Sequence, residues 1–168
     1  QGLGLAALLA HLEHHEPLGW ETFQQNLREI LPEYAGVKLS ARDDGARCFS
    51  LETLRGGYAI AARELSHGTL MALALLALPH LPQRPDVLCL EEPDHGMHPR
   101  LLRDIRDFLY RLSYPRQDMV AIQIIATTHN PYFLDLFQEH PEEVVIASKD
   151  GLEAHFTRLS EHPGVRHI

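Results

Sequence analysis

Two short apolar runs with a helical pattern between them constrain this chain more than any other feature. Val87-Leu88-Cys89-Leu90 and the stretch from Val120 to Ala126 lack the alternation of a half-solvated strand. Runs of that kind read as strands covered on both faces. Between them Pro99 opens a helix whose Leu101, Leu102, Ile105, Phe108, Leu109 and Leu112 share one stripe. Asn130-Pro131 then gives an N-cap followed by an N1 proline, and Val144-Val145-Ile146-Ala147 is a third apolar run. Strand, helix, strand, helix, strand at these spacings predicts right-handed βαβ units and a parallel sheet of three or more strands from about Ala62 onward. Beyond Gly151, Leu152 to Phe156 predicts a hairpin strand at an edge.

The chain before this core has a different pattern. Leu5, Leu8, Leu9 and Leu12 predict an amphipathic helix from Leu3 to His15, and Trp20, Phe23, Leu27, Ile30 and Leu31 predict a second, closed by Pro32. Val37-Lys38-Leu39, Arg47 to Leu51 and Tyr58-Ala59-Ile60 then read as short strands, with turns at Asp43-Asp44-Gly45 and Gly56-Gly57. The organisation expected is a helical and antiparallel portion over 1–62 and an α/β portion over 63–168. Ser66-His67-Gly68-Thr69 opens the latter with a helix apolar nearly all round to Leu78, closed by the loop from Pro79 to Pro85.

Composition narrows the function classes. Apolar residues make up 45% and charged residues 23%, which excludes a disordered, collagenous or coiled-coil chain. The balance of 15 basic against 23 acidic residues, net −8, argues against a surface that grips nucleic acid through phosphates. The only lysines are Lys38 and Lys149. Arg100, Arg103, Arg106, Arg111 and Arg116 alternate with Asp104 and Asp107 as on a solvated helix face, so any DNA contact is expected from other domains of a longer protein. Cys48 and Cys89 are no disulfide framework, which points to a reducing cytoplasm. The longest apolar stretch, Leu70 to Leu78, is far short of the roughly 20 residues that span a bilayer, and no signal peptide is evident. The sequence begins at Gln1, without Met and in helix-like sequence, and is expected to be a piece of something longer.

Chemistry concentrates where the strands run out, which is where ligands sit on an open parallel sheet. One end is Leu90-Glu91-Glu92-Pro93-Asp94, two adjacent carboxylates; the next is Thr127-Thr128-His129-Asn130. Carboxylates and an imidazole on one rim suit a Mg²⁺-dependent phosphoryl-transfer site, with one acid supporting the metal and the other orienting water.

Leu65-Ser66-His67-Gly68-Thr69, Val87 to Pro93, His98-Pro99 and Thr127 to Pro131 occur in that order. Together they resemble the signature motif, Walker B strand, D-loop and switch-histidine loop of the distal half of an ABC-type ATPase. The closest likeness is to the AAA-labelled ATPases related to RecF and the overcoming-lysogenization (OLD) proteins, and it covers roughly Glu64 to Ser148. The resemblance implies a P-loop NTPase fold, an ABC-type distal half with a parallel sheet flanked by helices. Glu91 matches the Walker B acid that supports Mg²⁺, Glu92 the general base, and His129 the switch histidine that senses the γ-phosphate. Ser66 and Gly68 match the signature loop, whose hydroxyl and backbone N–H bind the γ-phosphate held by the opposite subunit. His98 falls in the D-loop, at the dimer interface. The implied protein is an ATPase using ATP and Mg²⁺ and working as a head-to-tail homodimer, in the setting of DNA repair or maintenance or phage defence.

Two departures stand beside this. Glu91 occupies a position where many such ATPases have Asp, and His67 replaces a signature glycine. No G-x-x-x-x-G-K-[ST] occurs in the 168 residues, so the P-loop is expected upstream of Gln1 and this chain alone should bind ATP poorly. Two other classes compete. The twelve histidines, among them His11, His14, His15 and the His95-Gly96-Met97-His98 pair, raise a metal site, with His129, Glu91 and Glu92 as a possible metallohydrolase set. The third class is a non-catalytic interaction module retaining the ATPase scaffold.

Overall fold

A computed structural model of the chain describes residues 3–43, 45–81, 85–115 and 120–162. Asp44 of the first predicted turn, residues 82–84 of the loop after Leu81, and Arg116 lie outside the described residues. The chain forms two compact units, Gln1–Thr127 and Thr128–Ile168.

The first unit opens with helices α1 (Leu3–His15) and α2 (Pro17–Ile30). Pro17 starts α2 because an N1 proline lacks an N–H that the first turn could not have bonded. Ala6, Leu9, Ala10 and Leu12 of α1 and Phe23, Leu27 and Ile30 of α2 are buried, one helical face each. They pack on a meander of β1 (Tyr34–Ala41), β2 (Arg47–Thr53) and β3 (Ala59–Ala61), antiparallel in the order β1-β2-β3. Val37, Phe49 and Leu51 are its buried residues.

Gln24 ties α2 to this sheet. Its Nε2 donates to Val37 O at 3.1 Å, and its Oε1 accepts from Val37 N at 3.0 Å. One side-chain amide thus satisfies both main-chain groups of an edge-strand residue, which water would otherwise have to solvate.

Helix α3 (His67–Ala77) is the centre of the core, with Gly68, Ala72, Leu73, Leu75, Leu76 and Ala77 buried. β4 (Val87–Glu91), α4 (Pro99–Ser113) and β5 (Gln123–Thr127) follow, and β4 and β5 are parallel in the register Leu88↔Ile124, Cys89↔Ile125, Glu91↔Thr127. This is the βαβ unit the sequence predicts. In α4 Leu102, Ile105, Phe108, Leu109 and Leu112 of the predicted stripe are buried, and Leu101 is half-buried at its edge.

Covering of the strands on both faces is not found. Leu88, Leu90 and Ile124 are half-buried on one face, whereas Val87 is 47% and Ile125 52% exposed on the other, with Cys89 exposed between them. The apolar pattern is that of a doubly covered sheet, but the described residues cover one side of it. β5 also begins later than expected: Val120 is 73% exposed, and Ile122 is buried and hydrogen-bonded to Leu112 O.

The second unit holds a short α5 (Pro131–Leu134) and the strands β6 (Val145–Asp150) and β7 (Glu153–Arg158). Asn130 Oδ1 caps α5 by accepting from Tyr132 N at 3.0 Å, as the Asn-Pro pair predicts. β6 pairs antiparallel with β7 in its own two-stranded sheet, from Val145↔Arg158 to Asp150↔Glu153. The third apolar run is therefore one arm of a hairpin, a correction to the expectation of a third parallel strand. The cause is local: Gly151, at φ +60°, makes a two-residue turn that brings β7 back beside β6.

Candidate functional site

Helix α3 begins at Ser66, an extended residue whose Oγ accepts from Thr69 N at 3.1 Å and lies 2.8 Å from Thr69 Oγ1. This is an N-cap on an eleven-residue helix. Such a terminus carries partial positive charge and points N–H groups outward, the arrangement that receives phosphates. Ser66 and His67 are exposed and Gly68 is buried.

Glu91 and Glu92 stand at the carboxyl end of β4, and the register sets Glu91 beside Thr127 at the end of β5. Glu92 is the one described non-glycine residue with positive φ, +44°. A left-handed residue with a side chain costs roughly 1–2 kcal/mol, so other contacts must hold it. Glu92 N donates to Thr127 O at 3.0 Å and lies 3.4 Å from Thr127 Oγ1. His95 N then donates to Glu92 O at 2.9 Å, and Met97 N to Asp94 O at 3.1 Å. The chain turns sharply out of β4 as a result, with the Glu92 side chain at 40% exposure and Glu91 exposed.

Beneath this turn Pro93, Asp94 and Met97 are buried. Asp94 is only 7% exposed, and its Oδ1 has no hydrogen-bond partner among the described residues. His98 closes the turn: exposed, it caps α4 by accepting from Arg100 N at its Nδ1, 3.3 Å away.

The Ser66 loop and the Glu92 turn are packed together. A Cβ on Gly68 would fall 2.5 Å from Gly96 O, 2.9 Å from Gly96 C and 3.1 Å from Met97 Cα. Gly96 itself has φ +72°. Glycine at 68 is what allows the two backbones to touch. Above them the rings of His67 and His95 meet edge to face, centroids 5.7 Å apart.

The structure thus brings Ser66, Gly68, Glu91, Glu92 and His98 into one unit, on two adjoining loops. His129, two residues beyond Thr127, belongs to the second unit, where it is exposed and Thr128 Oγ1 accepts from Asn130 N at 3.0 Å. The sequence alone did not single out Thr127 as the anchor of Glu92, the burial of Asp94, or the His67–His95 contact.

The histidines of α1 are surface groups. His11 and His15 have ring centroids 4.7 Å apart, and His14 Nδ1 lies 2.8 Å from Ala10 O. Among the described residues the group with metal-ligand proximity is His140, Glu142 and Glu143, all exposed in the second unit. Glu142 has its carboxyl held below the usual range, first by a hydrogen bond from its own backbone and then by one from His140.

Parallel strands with flanking helices give this chain the α/β fold of a P-loop NTPase. The chain belongs to the family described as AAA domain, putative AbiEii toxin, Type IV TA system, whose model matches residues 7–135.

Solved structures share the fold. One described under ATP-driven dimerization and DNA-stimulated activation of SMC ATPases superposes with a TM-score of 0.62 at 12% identity, covering 82% of this chain and 81% of that one. An Smc head domain with an extended coiled coil, bound to the C-terminal domain of ScpA and derived from Pyrococcus furiosus, gives 0.57 at 13% identity, covering 84% of this chain and 35% of that one. A further Smc head, bound to the C-winged helix domain of ScpA, gives 0.51 at 13% identity, covering 84% and 44% respectively. No match is found among curated proteins.

Proposed function

We propose that this chain is the hydrolytic, distal half of an ABC-type ATPase of the RecF- and OLD-related kind, acting on Mg-ATP at a head-to-tail dimer interface. The observation that carries the reading is the pair Glu91-Glu92 at the carboxyl end of a parallel strand, with Glu92 turned into a left-handed conformation and tied to Thr127. In this reading Glu92 is the general base that orients the attacking water, and His129 senses the γ-phosphate. Ser66 and Gly68, at the start of α3, receive the γ-phosphate of nucleotide held by the opposite subunit. His98 lies at the interface, where it also holds the start of α4.

Glu91 suits magnesium: it is an exposed carboxylate, and Mg²⁺ takes one or two such oxygens beside phosphate and water. The ion supplies charge neutralisation on the phosphates when bound. Everything else the chain must supply is placement, since catalysis of phosphoryl transfer is almost entirely positioning and electrostatics. In this reading a phosphate-binding loop comes from elsewhere in a longer parent, since these 168 residues contain no G-x-x-x-x-G-K-[ST].

ATP-driven dimerization and DNA stimulation are described for an SMC ATPase of the same fold. By analogy the parent's dimer closes on ATP and opens on hydrolysis, with DNA contact from its other domains in repair, maintenance or phage defence. Among the described residues no helix is long and apolar enough to cross a membrane. With the free cysteines Cys48 and Cys89, this fits a reducing cytoplasm.

The test is Mg-ATP turnover by the full-length protein, wild type against Glu92→Gln, with the 168-residue chain as a third sample. The expected result is turnover by the wild type, a loss of about a hundredfold or more in Glu92→Gln with ATP still bound, and silence from the short chain. An inert wild type, or an unaffected Glu92→Gln, leaves the chain a non-catalytic interaction module.

A further inference from the structure

A row of contacts leads away from Glu92 that the chemistry above does not use. His95 Nδ1 stands 3.8 Å from Glu92 Oε2, across the turn closed by His95 N and Glu92 O. On its other side the His95 ring meets the His67 ring edge to face, at 76° between planes. His67 lies between Ser66 and Gly68, in the loop proposed to receive phosphate. Two imidazoles therefore join that loop to the carboxylate proposed as base. The main chain below them cannot slide, because Gly68 bears on Gly96 with no room for a Cβ.

A half-exposed glutamate has several rotamers available, and a base in the wrong one is an ångström or more from its water. The backbone of Glu92 is pinned by Thr127, and the imidazole of His95 stands beside its carboxylate. At 3.8 Å the imidazole is just beyond hydrogen-bond length, close enough that a small rotation of the exposed His95 ring makes the bond or releases it.

We propose that His95 is a positioning residue for Glu92, braced by His67, so that the pose of the base depends on what occupies the Ser66 loop. This rests on Glu92 being the base, and it gives the chain an internal link between phosphate capture at the Ser66 loop and water activation at Glu92.

The experiment measures kcat and KM for Mg-ATP in the full-length protein carrying His95→Ala, His95→Gln, His67→Ala or the double alanine change. His95→Ala is expected to lower kcat about tenfold with KM changed less than about twofold, and His95→Gln, which restores a donor, to recover most of it. His67→Ala should lower kcat by a smaller factor, and the double variant should match His95→Ala alone, because the two act along one path. Wild-type kcat in His95→Ala, no rescue by Gln, or multiplicative losses in the double variant would each overturn the proposal. If His95→Ala melts early, the Gln variant and His67→Ala decide by the same criteria. An active wild type with a silent Glu92→Gln and an unaffected His95→Ala sinks the role of His95 alone. An inert wild type sinks the assignment of Glu92 and, with it, this one.

Discussion

Gly68→Ala is the sharpest perturbation the structure offers. Its new Cβ would sit 2.5 Å from Gly96 O, 2.9 Å from Gly96 C and 3.1 Å from Met97 Cα. Carbon contacts settle at about 3.5–4.0 Å, so the neighbours must withdraw by about 1 Å. All three atoms are main chain, in a turn fixed by two hydrogen bonds and a glycine at φ +72°. No side chain can rotate to make room. Overpacking of this kind costs about 3 kcal/mol at the upper end of its range, while alanine returns up to about 1 kcal/mol of helix propensity. The net loss is about 2 kcal/mol, or about 4–8 °C in Tm for a chain of this size. Gly4→Ala is the control, because Gly4 lies in α1 with nothing within 4 Å of its Cβ position. Thermal melts of the two variants beside wild type decide it. A Gly68→Ala protein as stable as wild type would refute the close packing of the two loops.

Three further outcomes follow from contacts elsewhere. Gln24→Ala should cost about 1–3 kcal/mol in urea unfolding, because Val37 N and O both lose their partner, and an unchanged midpoint would mean water replaces the amide freely. Asp94→Ala should cost less than about 1 kcal/mol, because it removes a nearly buried oxygen, Oδ1, that is unpaired among the described residues; a larger fall in Tm would reveal a partner for the carboxylate. Tyr34 has its phenol pushed up, first by burial and then by the Glu33 carboxylate, partly offset by a hydrogen bond with Thr69. A folded value above the unfolded one means its contribution is whole below about pH 10 and lost as pH rises through the folded value, so Tyr34→Phe should lose less stability than wild type between about pH 9 and 11.5.

Much of the architecture was legible because helix stripes and caps are local signals. The stripe from Leu102 to Leu112, the Asn130-Pro131 start and the order of the N-terminal meander rest on spacing within a few residues. The strands were harder. An apolar run reports that a strand is suited to cover on both faces, whereas actual cover depends on what else is present, and Val87 and Ile125 face outward here. Val145 to Ala147 reads like the earlier runs, yet its partner is set locally, by the two-residue turn at Gly151 that returns β7 beside it. At the candidate site, paired acids after an apolar strand were visible at once. The positive φ of Glu92, its anchor at Thr127 and the meeting of His67 with His95 depend on segments far apart in the chain, which no single-sequence spacing encodes.

The left-handed backbone at Glu92 bears on how variants of this protein would fare under selection. Glycine at that position relieves a conformational cost of about 1 kcal/mol or more, at least in the folded state, while removing the carboxylate. A library screened for heat tolerance alone would accordingly admit residues that tolerate the bend, glycine and asparagine foremost. The same library screened for turnover would reject them. Disagreement between the two screens at position 92, and agreement at its neighbours, is what a backbone shaped around a working side chain leaves behind.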